Sequence, residues 1–359
     1  MSFHEMLISA MALFAVLGAL DRILGNRYGL GKQFEEGILA MGSLALAMVG
    51  IVCLAPVLAA LLKQVVVPVY AFLGADPAMF AGSILACDMG GGALAAQLSA
   101  NRESALLGVV ITGSMLGATL VFTIPVAMGI LEEKDRPAMA KGILCGIVTI
   151  PVGVLVGGIT ARFPVGMVLR NLLPIVLIAA LIALGLWKAE AQMVKGFTLF
   201  GKGVVALSTA GLALAIVEGL TGFAPVPGMA PISEGFSTVG TIAIVLAGAF
   251  PLVHVATRLL RRPLTRAGKK LGINDAAAAG LIASLANSIA TFGLVKEMNY
   301  RGKVVNIAFA VSAAFVFGDH LGFAAGFSPE MLPAMILGKL AGGVSAVAVA
   351  LWLTRKDAG

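Results

Sequence analysis

The residues with the most chemistry to offer sit inside one apolar stretch, 80–98, read FAGSILACDMGGGALAAQL. Asp88 stands at its centre, followed by Met89 and then by Gly90, Gly91 and Gly92. Each glycine weakens a helix by roughly 1 kcal/mol relative to alanine and allows φ > 0. An ionised carboxylate at bilayer depth costs a few kcal/mol or more without a partner. Unwound backbone at that depth is tolerated only inside protein or around a watery cavity. The stretch therefore predicts a helix, a polar break and a second helix, with the break as a ligand site formed by Asp88, Met89 and Gly90 to Gly92. Asp88 would serve as counter-ion to a cationic solute or as a proton or sodium site, with freed carbonyls and helix ends completing it. Its structural alternative is a cap on the second half-helix, and the two roles coexist.

Other polar residues in apolar surroundings are secondary candidates. Asp319-His320, between Gly318 and Gly322, could relay protons, bind a hydroxyl or ammonium, or form a structural pair to another helix. Glu36 and Glu234 begin two apolar runs, where the helix dipole and capping already explain an acid and a ligand role is the sharper reading. Lys339 lies within the last run and would snorkel or pair with an acid. The uncharged, proline-rich segment 221–233 reads as a loop rather than a gate.

These residues need a scaffold, and composition says which kind. Of 359 residues, 59% are hydrophobic and only 12% charged, with a mean hydropathy of +1.01. Apolar runs of about 20 residues recur along the length, each long enough to cross ~30 Å of hydrocarbon. The fold class is an all-α polytopic membrane protein. The net charge of +7 resides in loops and speaks for topology and lipid contact, not nucleic acid. The basic, amphipathic loop 258–272 is the expected lipid-headgroup contact. Cys53, Cys87 and Cys145 are scattered, without a metal-binding spacing. No phosphate loop, zinc motif or nucleophile elbow is present, so neither a cofactor nor ATP hydrolysis is expected.

Crossings are predicted at 3–24, 37–62, 104–131, 138–160, 172–187, 197–220, 237–258, 304–327 and 331–353, with 78–100 and 276–297 either crossing or re-entering. If both cross, the loop Lys/Arg divide evenly between the faces. If both re-enter, one face keeps only Lys63, Arg102, Arg162 and Arg170, and the other collects eighteen. The positive-inside rule selects the second arrangement: about nine crossings and two broken hairpins, N-terminus outside, C-terminus in the cytoplasm.

The two halves repeat. At an offset of 198, Glu36-Gly37 falls on Glu234-Gly235, Gly42 on Gly240, Leu73-Gly74 on Leu271-Gly272 and Ala81-Gly82 on Ala279-Gly280. At an offset of 196, Pro137-Ala138-Met139 falls on Pro333-Ala334-Met335. The expected organisation is a first repeat, 1–160, a linking span within 161–196, and a second repeat, 197–359, inverted as in secondary transporters. The second hairpin then brings Asn287 and Ser288 opposite Asp88. A homo-oligomer is left open by analogy with other re-entrant-hairpin carriers. A membrane enzyme lacks its acidic metal motif here, and a scaffold lacks a soluble domain.

The stretches 33–58, 67–98 (VPVYAFLGADPAMFAGSILACDMGGGALAAQL) and 119–153 resemble the EutH ethanolamine permease family. The CDMGG core preceded by P-x-M-F-A-G is the most specific part. The chain departs from the family pattern in a short loop after the first span, and in Gly92 where a bulkier residue is expected, a change that would widen the site. The resemblance implies uptake of ethanolamine across a bacterial inner membrane to supply a lyase pathway. The ammonium would then pair with Asp88 and the hydroxyl with Asn287 or Ser288. Choline or another small amine is the alternative substrate.

Overall fold

The computed structural model describes residues 2–99 and 101–355, and for 260–270 the backbone alone. Among the described residues the chain is helical throughout, with no strand. Eight helices are long and apolar enough to cross a membrane. They are α1 (Phe3–Ile23), α2 (Leu30–Phe72), α5 (Arg102–Ile130), α6 (Glu133–Thr160), α7 (Val165–Lys188), α8 (Glu190–Thr221), α9 (Ile232–Lys270) and α14 (Pro329–Leu353). The short helices are α3 (Ala78–Ile84), α4 (Gly92–Leu98), α10 (Asp275–Ala286), α11 (Ser288–Leu294), α12 (Tyr300–Ala313) and α13 (Asp319–Phe327). Helix α9 lies along α1 and α2, while α12 and α14 lie along α6, so the two halves of the chain interleave.

Both ambiguous stretches are hairpins. In the first, α3 and α4 have seven residues each, about 10 Å of helix. The hydroxyl of Ser99 donates to Asp76 Oδ2 at 2.8 Å, so the chain returns to where it left. Asp76 Oδ1 meanwhile accepts from the Ala78 N–H. In the second, Asn274 does the same work: its amide donates to Glu297 O at 2.8 Å, and its Oδ1 accepts from the Ala277 N–H. The pairs Asp76/Asn274 and Ser99/Glu297 are both separated by 198 residues, the offset at which the sequence halves match. So are the helix caps Asn101 and Asn299, and Gly74 and Gly272, which turn the chain with φ of 67° and 71°.

Two expectations differ from the structure. The crossing predicted at 304–327 is not continuous: α12 ends at Ala313 and α13 starts at Asp319, with Phe315 at φ +61° between them. The basic segment 258–272 is not a loop, because α9 runs on to Lys270. The side chains of 260–270, and with them the expected headgroup contact, lie outside the described residues.

Each hairpin tip rests on a glycine. The tip of the first packs on a π-helical stretch of α5, Leu107–Gly117, where a Cβ on Gly117 would lie 1.9 Å from Leu85 O. The tip of the second packs on the break before α13, where a Cβ on Gly318 would lie 2.2 Å from Ala286 O. Backbone meets backbone at both places, and no side chain can be moved aside to make room. Gly117→Ala and Gly318→Ala are each expected to abolish most of the monodisperse protein recovered in detergent. Gly240→Ala, which faces open space, should leave the size-exclusion profile unchanged.

Candidate substrate site

The first tip is built by local backbone necessity. Leu85 and Ala86 are extended, and Gly90 takes φ +83° so that the chain can turn into α4. At Gly90 a Cβ would lie 2.6 Å from Ile51 Cγ2 of α2, so both conformation and space demand glycine there. The turn leaves Cys87 and Asp88 pointing toward the start of α13. Cys87 Sγ, a carboxylate oxygen of Asp88 and a ring nitrogen of His320 lie within 4.8 Å of one another. His320 is 3% exposed, and its Nδ1 has no hydrogen-bond partner. Its ring tilts against Phe315 at 5.2 Å between centroids, and Phe315 in turn meets Phe122 edge-on at 5.5 Å.

The break that delivers Asp319 and His320 is held by the second hairpin. The Phe315 N–H donates to Ser284 O at 3.0 Å and the Phe317 N–H to Leu285 O at 2.8 Å. These two bonds satisfy peptide groups freed on both chains and hold Phe315 in a left-handed conformation rare for a bulky residue. Asp319 opens α13, where an acid also suits the helix dipole.

Lys339 completes the cluster. It is wholly buried, and its ammonium donates to the carbonyl of Ser114 in the π-helical stretch of α5. It lies within electrostatic range of Asp88, and Asp88 within range of Asp319. Lys339 therefore does not snorkel. The thiol, carboxylate and imidazole are the right donors for a soft metal ion, but the adjacent ammonium opposes a doubly charged one.

A cavity of about 190 Å³ leads to the tip, lined by Gly90, Gly92, Phe323, Phe327, Thr238 and Glu234 among others. Glu234 is exposed at its edge, and the two phenylalanine rings stack at 5.0 Å. A second cavity, of about 340 Å³, adjoins it along Gly92, Ala96 and Phe327, and reaches Ser99 and Arg102. The space at Gly92 is taken up by Phe327, whose Cε2 would lie 2.8 Å from a Cβ there, so the missing side chain does not simply widen the site.

The candidates from sequence thus separate. Asp88, Met89, Gly90, Gly91 and Gly92 form the tip, Asp319 and His320 join it, and Glu234 stands at the cavity. Glu36 does not: it is held by Gln33 and Lys32 on an exposed face of α2. Asn287 is exposed and caps α11, accepting from the Ile289 N–H, while the Ser288 hydroxyl is buried without a partner. Cys87 carries no metal-binding spacing in the sequence, yet the fold brings His320 to it. No spacing signals that meeting, which depends on three separate helix breaks. For Lys339, the signal was a lone cation in an apolar run, and its partner could not be read.

A family model described as ethanolamine utilisation protein, EutH, matches residues 3–353. The chain belongs to the EutH family. It is 56% identical over 356 residues to a probable ethanolamine permease EutH of Listeria monocytogenes, covering 99% of this chain and 95% of that one. It is 50% identical over 354 residues to the uncharacterized protein YxeR of Bacillus subtilis, covering 99% and 96%. The probable ethanolamine permease EutH of Salmonella typhimurium is 46% identical, covering 99% and 97%. No solved structure matches the chain. In this EutH chain a multi-pass helical body holds a buried charge cluster beside two cavities.

The cluster makes a prediction about stability. Removing one member of a buried charge group leaves the others uncompensated, at a cost of roughly 3–5 kcal/mol. Lys339→Met should lower the thermal unfolding midpoint in detergent by several degrees or more. Adding Asp88→Asn should recover part of that loss, where two independent sites would simply add.

Proposed function

We propose that the protein is a carrier for ethanolamine, and that the ammonium of the substrate is held by Asp88 and Asp319 at the meeting of the first hairpin tip with α13. The supporting observation is the charge balance of the cluster. Asp88 lies within electrostatic range of both Lys339 and Asp319, and no cation faces Asp319 among the described residues; a protonated amino-alcohol would supply one. Glu234 would attract the cation, and the faces of Phe323 and Phe327 would stabilise it on the way in. The hydroxyl would be taken by His320, whose Nδ1 lacks a partner, in place of the Asn287 or Ser288 expected from sequence.

Transport needs the site to open alternately to two sides, and the matched hairpin bases suggest how. We read residues 1–160 and 197–359 as inverted repeats joined through α7, with the first hairpin entering from outside and the second from the cytoplasm. The N-terminus then lies outside and the C-terminus inside, in the cytoplasmic membrane of a bacterium. This orientation puts Glu234 and both cavities on the outer side.

The decisive experiment is uptake of labelled ethanolamine into proteoliposomes at about pH 6. Saturable uptake by the wild type is expected, with a loss of tenfold or more in Asp88→Asn and in Asp319→Asn while both remain folded. Unchanged uptake in Asp88→Asn would reduce that residue to a structural cap, and no uptake by the wild type would remove ethanolamine as the substrate. A primary ammonium titrates near about 10, and only the neutral amine crosses lipid unaided. The protein-dependent excess over empty liposomes should therefore shrink between about pH 6 and pH 9. An excess that stays constant would count against recognition of the cation.

Gly92→Leu should block uptake by driving a side chain into the space of Phe327, and Phe327→Ala in the same chain should restore it. If the double variant stays blocked, the adjoining cavities are not the route.

A further inference from the structure

The largest cavity among those described lies away from the charge cluster. It measures about 470 Å³ and is enclosed by the end of α5, the start of α6 and the first three turns of α8. Its apolar lining comes from Met128, Met139, Val194 and Leu199, and its charged lining from Arg136, Lys195, Lys202 and Glu190. Lys195 and Lys202 are two turns apart on one face of α8 and exposed. Neither makes an ion pair among the described residues. Of the neighbouring acids, Glu132 is engaged with Lys134, Glu133 with Arg136 and Asp135 with Lys303, and Glu190 alone faces the cavity unpaired among the described residues.

The depth of the cavity follows from the helix that forms it. After Lys202, α8 continues as GVVALSTAGLALAIVEGLT, nineteen residues with Glu218 the only charge. That length rises about 28 Å and matches the hydrocarbon thickness of about 30 Å. The exposed Leu199 and Phe200 carry the apolar face one turn further, so Lys202 stands just inside the hydrocarbon boundary with a stem that snorkels outward, and Lys195, two turns earlier, stands at headgroup level. Trp187, 76% exposed at the end of α7, sits at the same level, where aromatic side chains favour the membrane interface.

We propose that this cavity binds an anionic phospholipid of the phosphatidylglycerol type. Lys195 and Lys202 hold its phosphate between them, and Met128, Met139 and Leu199 receive the first part of its acyl chains. Glu190 accepts from a hydroxyl of the glycerol headgroup and would repel a second phosphate. An exposed basic groove in water would bind any anion, but an apolar floor at the bilayer boundary selects one that carries hydrocarbon.

The test uses the purified full-length protein, delipidated in detergent and returned to defined lipids, with bound lipid read by native mass spectrometry. Wild type should retain phosphatidylglycerol at least tenfold better than phosphatidylcholine. Lys195→Gln with Lys202→Gln should reduce that retention roughly tenfold, Lys195→Arg with Lys202→Arg should keep it, and Lys63→Gln, remote on α2, should not change it. Equal retention by wild type and the glutamine variant would overturn the site. Displacement of the lipid by millimolar inorganic phosphate would overturn the lipid assignment in favour of a free-anion site. A glutamine variant that fails to fold is separated from one that fails to bind by its size-exclusion profile, and the arginine variant then decides, since loss of lipid from a folded arginine variant would also overturn the proposal.

Discussion

Every peptide group freed by an interrupted helix must find a partner inside the protein, because lipid offers none. Among the described residues, the interruptions that shape the site lie at 85–91, at 287 and at 314–318. They are solved together. The second hairpin gives its carbonyls at Ser284 and Leu285 to the amides of Phe315 and Phe317. The first hairpin lays Leu85 O against Gly117, and the second lays Ala286 O against Gly318. The positions of Asp88, Asp319 and His320 follow from these backbone contacts, so the geometry of the charge cluster is inherited from the way the breaks are closed.

The charges impose a second requirement on that geometry. A lysine with no exposed surface is tolerable only with a nearby acceptor and counter-charge. Lys339 has both, in the Ser114 carbonyl and in Asp88. Its acceptor lies on the same π-helical stretch that seats the first hairpin, so packing and charge balance share one element. Disturbing either would move the other.

The legible part of this structure was the part written locally. A carboxylate followed by three glycines in an apolar run marks a break whatever surrounds it, and the helical class follows from composition alone. The break before Asp319 carried a similar signal, an acid and a histidine between Gly318 and Gly322, but weaker, because no glycine run accompanies it. The residue that departs most from ordinary geometry there is Phe315, a type that no sequence rule associates with a left-handed turn. Glu36 and Glu234 stand 198 residues apart, the offset at which the sequence halves match, yet one lies in a surface ion pair and the other lines a cavity. A repeat predicts equivalent backbone positions; it does not predict equivalent surroundings, because the partner helices differ. The meeting of Cys87 with His320 and the filling of Gly92 by Phe327 were illegible for the same reason.

The built-in lysine also bears on how a carrier can release what it binds. A site made of two carboxylates alone would hold a small cation tightly and a second cation almost as readily, which favours occupancy over turnover. With Lys339 fixed beside Asp88, one of the two acids already has a counter-charge, and in the proposed cycle the lysine would stay to compensate it when the ligand leaves. The empty state is then less costly to bury than a bare pair of acids would be. A carrier must bury its site in both loaded and empty forms as it changes sides, so a resident cation that lowers the difference between them suits that cycle. In the proposed carrier Lys339 would limit affinity so that the site can turn over, and the buried position that makes it costly to fold is the same one that holds it beside Asp88.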